Sequence, residues 1–211
     1  MAAATVTVLF NMRVLVACEF SGVVRRAFRE LGHEAYSCDL LPAEDNQIQH
    51  IKGTVLDELA YPYPSAWRWD LMVAHPPCTR LTVAGARWFK GKEQEQADAI
   101  AFCEALWAAD IPRICIENPI GVLSTRSKLG RPTQIIQPWQ FGHGETKATC
   151  LWLKGLPKLV PTNIVEGRVA RVHLEPPGPD RWKNRSRTYE GIARAMAEQW
   201  GGDIRQKAVA A

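Results

Sequence analysis

Apolar and polar positions along this chain follow two periods. Short apolar runs rich in β-branched residues predict buried strands at Arg13–Ala17, Ala35–Asp39, Trp69–Ala74, Arg113–Glu117 and Ala148–Leu153, with a shorter one at Ile48–Lys52. Between the first two, Val24, Ala27, Phe28 and Leu31 recur at helical spacing. Ser21 is the expected N-cap of that helix and Gly32 its C-terminal stop. A second helix is predicted from Glu93 to Ala109 and a closing one over Tyr189–Trp200. Asp57–Leu59 reads as the start of a short polar turn, and Tyr61-Pro62-Tyr63-Pro64 cannot be helix interior.

Strand, tight turn, helix, strand, acid is the opening unit of a doubly wound sheet. The alternation continues, so the expected class is α/β: a mostly parallel sheet with helices on both faces. The chemically active side chains fall just after strand ends, at Glu19–Gly22, Asp39, His75–Cys78 and Glu117–Asn118. Open α/β sheets bind ligands at that edge.

The 211 residues suit one domain, expected over 13–211, with 1–12 a loose extension. No run approaches the roughly 18 apolar residues of a spanning helix, and the start lacks a basic secretory n-region. Six scattered cysteines form no CxxC pair, so neither a disulfide scaffold nor a metal site is expected, and the reading is an intracellular protein. Net charge is +4, but its distribution says more. Residues 154–187 hold eight bases against three acids, and the rest of the chain 18 bases against 19 acids. The basic excess therefore lies in one proline-rich segment, expected to be loop or a small insert that meets nucleic acid phosphates.

Four clusters carry candidate chemistry. The turn Cys18–Gly22 puts amides at a helix start, a setting for an anion or a closely approaching ligand. One glycine is too few for G-x-G-x-x-G or a P-loop. Asp39, 17 residues after Gly22, is spaced to grip ribose hydroxyls; the plainer alternative is that both residues merely end secondary structure. Cys78, on the stiff His75-Pro76-Pro77 loop, is placed as a nucleophile, and nearby cations would lower its pKa. A buried inert thiol is the alternative. Glu117-Asn118 follows an apolar strand and offers proton or hydrogen-bond exchange, or is a solvated strand end. Lys147, in Glu145–Thr149, is a candidate phosphate or base contact, or an ordinary surface lysine.

In order and spacing, these pieces resemble the DNA cytosine-5 methyltransferases, over residues 13–153 and the last helix. Residues 69–85 (WDLMVAHPPCTRLTVAG) are similar to that family's Pro-Cys loop, and residues 116–119 (IENP) to its Glu-Asn motif. Small phage and prophage members with reduced recognition regions are the nearest in kind. The resemblance implies a Rossmann-like, S-adenosylmethionine-dependent methyltransferase fold and a covalent Cys78 adduct at cytosine C6. Glu117 would hold the base, with Asn118 and Pro77 fixing the loops. Glu19, Phe20, Ser21, Gly22 and His75 would border the cofactor's methionine part, Asp39 its ribose, and Leu40 with Asp57 or Thr54 its adenine. Thr79, Arg80, Lys147, Thr149, Arg181, Lys183, Arg185 and Arg187 would meet double-stranded DNA, whose target base flips out. It further implies a monomer, no metal, and a cytoplasmic setting in a bacterium or infected host.

The sequence departs from that pattern in places. Glu19 and Ser21 stand where the family has glycines, and its Gln-x-Arg-x-Arg becomes Glu145-x-Lys147-x-Thr149. About 34 residues of recognition segment imply a two-to-four-base target. Two other readings stay open: an amino-methyltransferase, whose loop has an aromatic where Cys78 stands, and a catalytically silent nucleic-acid-binding module. RNA or a free nucleotide also remains open as substrate.

Overall fold

The computed structural model describes residues 11–64 and 66–202, apart from the side chains of Trp88 and His173. Most of the expected extension, 1–10, lies outside the described residues. Asn11 and Met12 belong to the body: Asn11 exchanges hydrogen bonds with Glu34, and Met12 is buried in the core.

The chain runs β1 (Arg13–Ala17), α1 (Val23–Glu30), β2 (Glu34–Asp39), β3 (His50–Lys52), α2 (Val55–Ala60), β4 (Leu71–Ala74), α3 (Glu93–Ala108), β5 (Ile114–Pro119), α4 (Leu123–Arg126), β6 (Gln134–Ile136), β7 (Thr149–Lys154), α5 (Arg171–Leu174), α6 (Arg181–Ser186) and α7 (Glu190–Met196). One seven-stranded sheet has the order β3-β2-β1-β4-β5-β7-β6. The first five strands are parallel, while β7 runs antiparallel to both β5 and β6. The fold is a Rossmann-like doubly wound α/β sheet, as the alternation of periods predicts.

Inward-facing residues of β1, β4 and β5 are fully buried on both faces, which explains their continuous apolar runs. One core joins α1 and α7 to the sheet through Val24, Phe28, Ile192 and Met196. The other joins α2 and α3 through Val55, Cys103 and Leu106. All six cysteines are free. Among the described residues no helix is long and apolar enough to cross a membrane.

The sequence does not predict β6 or α4, and two further stretches differ from expectation. Residues 55–60 form a helix rather than a polar turn, because Thr54 Oγ1 caps it by accepting from Asp57 N (3.1 Å). The basic segment is not one loop. Its first half packs on the sheet edge, with Leu159 buried and Val160 hydrogen-bonded to Gln199. Its second half forms α5 and α6 and folds over the C-terminal edge of the sheet.

Candidate active site

The β1–α1 turn is closed by its own side chains. Cys18 is left-handed (φ 59°), and its amide and that of Glu19 both donate to Cys38 O. Glu19 points inward and is buried. Its Oε1 accepts from Val24 N (2.7 Å) and its Oε2 from Arg25 N (3.2 Å), while Ser21 Oγ accepts from Val23 N (3.4 Å). These first-turn amides are therefore not presented to an external anion, contrary to the sequence expectation. Burial raises the Glu19 carboxyl above its ordinary value; the His75 charge, the two amides and Arg25 offset this only in part.

Gly22, not Ser21, is the α1 N-cap residue. Its φ of 69° and the side chains beside it demand glycine: a Cβ there would lie 2.5 Å from Arg25 Nη2 and 2.7 Å from Asp45 Oδ2. Sequence reasoning overlooked Arg25, a charge on the apolar face of α1. It is wholly buried, donates to Ser37 Oγ (2.7 Å) and pairs with Asp45.

The loop after β4 is joined to the end of β5, and Glu117 and Asn118 lie within that strand rather than just after it as expected from the sequence. Asn118 Nδ2 donates to Pro76 O (2.8 Å), and His75 Nδ1 lies 3.0 Å from Glu117 Oε2. Leu81 N and Thr82 N both donate to Cys78 O, which turns the chain sharply after the cysteine. Gly121 lets the loops meet, since a Cβ there would sit 1.9 Å from Leu81 O.

A cavity of about 110 Å³ opens where these loops converge. It is lined by Cys18, Glu19, Phe20, Ser21, His75, Pro76, Pro77, Cys78, Glu117, Asn118, Pro119, Lys147, Arg185 and Arg187, together with Ser186 and Thr188, which the sequence did not single out. In its walls His75 Nε2 and Asn118 Oδ1 are buried without a partner. A larger hollow of about 370 Å³ adjoins it, sharing Ser21, Arg187 and Thr188.

The charges in the cavity oppose one another. Burial pushes the Glu117 carboxyl up, but the hydrogen bond and charge of His75 and the charge of Lys147 outweigh it, so its pKa is lowered. Cys78 goes the other way. Burial, then the Glu117 charge, raise its pKa, and Lys147 and Arg185 offset this incompletely. The expectation of a depressed thiol is thus corrected: cations are present, but burial and a neighbouring carboxylate prevail.

The remaining sequence candidates divide. Asp39 ends β2, where its Oδ1 accepts from Leu41 N (2.9 Å), and Leu40 beside it is 69% exposed. Burial raises the Asp39 pKa against the Leu41 and Leu40 amides and the His50 charge. Asp57 is exposed in the first turn of α2. None of these lines the cavity, although all sit on the same sheet edge. Thr79 is exposed, and Arg80 is paired with Glu95 of α3 (2.7 Å).

Thr149 does not face outward to DNA. It is buried in β7 and bonds back to Lys147 O (3.0 Å). Lys147 turns to the chain's own backbone: its Nζ donates to Arg185 O (2.9 Å) and Arg187 O (3.4 Å). Glu145 accepts from Tyr189 OH (2.7 Å) and pairs with Arg171. The 145–149 segment thus clamps residues 171–189. Most of the late bases are also held internally: Arg181 Nε donates to Glu175 O, Lys183 pairs with Asp180 (3.6 Å), and Arg187 with Glu44 (2.7 Å). Trp182 lies against Phe20, with ring centroids 5.6 Å apart. Residues 181–188 form a strap over the cavity.

No family model matches this chain, and no curated protein matches it. Among solved structures, a methyltransferase of Entamoeba histolytica is similar at 12% identity with a TM-score of 0.49. The similarity covers 75% of this chain and 58% of that one, so it spans less than two thirds of that protein's length.

Proposed function

We propose that this chain is an S-adenosylmethionine-dependent methyltransferase acting on carbon 5 of cytosine in DNA. One observation carries the reading: Cys78, from the loop after β4, and Glu117, near the end of the neighbouring β5, line one small cavity in which His75 holds the Glu117 carboxylate. At about 110 Å³ the cavity is well below the roughly 300–1,000 Å³ of drug-sized sites. That suits a single ring rather than a whole nucleotide, and a base in duplex DNA would enter by flipping.

Cytosine carbon 5 is a poor nucleophile. Cys78 Sγ, once deprotonated, adds to carbon 6, and the C5–C6 π pair moves onto carbon 5. Glu117, charged at neutral pH, accepts the exocyclic amine. As electron density reaches ring N3, a proton passes to it from solvent through the Glu117 carboxyl and returns by the same route when Cys78 leaves. After methylation carbon 5 gives its proton to water, the C–H pair restores the double bond, and Cys78 leaves as thiolate. Asn118, through Pro76 O, keeps the two loops in register.

The donor set fits a cationic cofactor. The α1 amides are taken by Glu19, whose buried carboxylate suits a sulfonium or ammonium neighbour, and His75 Nε2 and Asn118 Oδ1 offer unused polar atoms. Asp39 Oδ2 and the exposed Leu40 would take ribose and adenine. S-adenosylmethionine would supply the electrophilic methyl group there.

The test is covalent trapping on DNA carrying 5-fluorocytosine, whose fluorine cannot leave as a proton. A denaturation-resistant complex should form with the wild type and the cofactor, and not with Cys78→Ala. Methyl transfer without an adduct would assign the exocyclic amine instead and overturn the reading.

A further inference from the structure

We propose that Arg185 is the phosphate anchor of this site: its guanidinium receives the backbone phosphate of the nucleotide whose base enters between Cys78 and Glu117. This rests on the function proposed above and gives it a substrate subsite.

Four bases lie in residues 181–187, and three have partners in the chain, to Glu175 O, Asp180 and Glu44. Arg185 is the exception. Its side chain makes no hydrogen bond or ion pair among the described residues, and its Nε is buried with no acceptor. A guanidinium has five donors and no way to shed its charge, so a buried Nε with no acceptor at the cavity wall is unfavourable unless a ligand completes it. Its backbone is fixed in advance, with Arg185 O held by Lys147 Nζ (2.9 Å) and the strap seated by Trp182 on Phe20. Such preorganisation leaves less entropy to lose when the anion arrives.

The chemistry of the ring indicates which part of the nucleotide lies there. Carbon 6, the target of Cys78, neighbours N1, which bears the sugar. The N3 and amine edge, the target of Glu117, lies across the ring. Arg185 lines the cavity with Cys78 and its charge bears on that thiol, whereas Lys147 bears on both Cys78 and Glu117 and His75 on Glu117. Arg185 therefore stands on the sugar-phosphate side, where the planar fork of arginine suits two phosphate oxygens.

The test uses 2′-deoxycytidine and its 5′-monophosphate as probes. The readout is the rate of Cys78 alkylation by iodoacetamide, followed by mass analysis of the Cys78 peptide. In the wild type the monophosphate should protect Cys78 at about tenfold lower concentration than the nucleoside, as expected of a hydrogen bond to a charged group. Arg185→Ala should make the two probes equal, and Arg185→Lys should retain part of the difference and serve if the alanine variant does not fold. Arg168→Ala, whose side chain sits over Trp139, should leave the difference intact. Equal protection in the wild type would overturn the anchor while leaving the base pocket standing. Weakened S-adenosylmethionine binding by Arg185→Ala in calorimetry would also overturn it, giving the guanidinium to the cofactor carboxylate. If neither probe nor DNA protects Cys78, the base-pocket reading falls and the anchor with it.

Discussion

Lys147→Met removes the clamp that ties the strap to the sheet. The lysine Nζ donates to Arg185 O at 2.9 Å and, more weakly, to Arg187 O at 3.4 Å. A hydrogen bond from a charged donor contributes about 1.5–3 kcal/mol. At 1.4 kcal/mol per factor of ten, the open population of the strap should rise roughly 10- to 100-fold. The strap keeps its other seats, Trp182 on Phe20 and Arg187 on Glu44, so it should loosen without unfolding the protein. Native-state hydrogen exchange reads this directly. The reporters are the amides of Asn184 and Arg187, bonded to Asp180 O and Lys183 O. Lys154→Met is the matched control, because that lysine donates in the same way to Trp107 O and Ala109 O elsewhere in the fold. Protection unchanged in Lys147→Met, or lost equally in Lys154→Met, would refute the clamp.

Three further outcomes follow from the same contacts. Asp45→Asn should lower stability by about 3–5 kcal/mol in urea denaturation at neutral pH, since it strands the charge of the wholly buried Arg25. Burial raises the Asp45 pKa, but bonds from Arg25 and Arg26 lower it further. Its contribution is therefore present above the ordinary carboxylate range and lost as pH falls through the depressed value, a loss absent from Asp45→Asn. Glu117→Gln should speed Cys78 alkylation at mildly alkaline pH, because it deletes the charge that helps raise the thiol pKa; a pH profile of the rate measures it. Gly191→Ala should destabilise the docking of α7 by about 1–3 kcal/mol, since its Cβ would lie 1.8 Å from Phe141 O; thermal unfolding checks this.

Where burial writes itself into residue type, the sequence is readable. The strands β1, β4 and β5 are apolar because both sheet faces are covered, and α1 shows its buried stripe in Val24 and Phe28. The cavity was legible as a set of strand-end residues, because the topology itself gathers β1, β4 and β5 at one edge. Short elements were not. β6 has three residues and exists through pairing with β7, and α6 sits in a proline- and base-rich stretch whose pattern is not helical. The antiparallel turn of β7 leaves no mark in its own sequence. Side chains that bond to distant backbone were equally hidden: nothing local says that Lys147 reaches carbonyls 38 and 40 residues away. The +5 of residues 154–187 overstated the charge available to nucleic acid, because acids elsewhere in the chain neutralise part of it, Glu44 for Arg187 and Glu145 for Arg171.

The central claim is tested most directly by the product. DNA of mixed sequence is incubated with the full chain and methyl-labelled S-adenosylmethionine, digested to nucleosides and analysed by mass. Labelled 5-methylcytosine should form with the wild type and be absent with Cys78→Ser. Label on an exocyclic amine, or 5-methylcytosine formed undiminished by Cys78→Ser, would contradict the account.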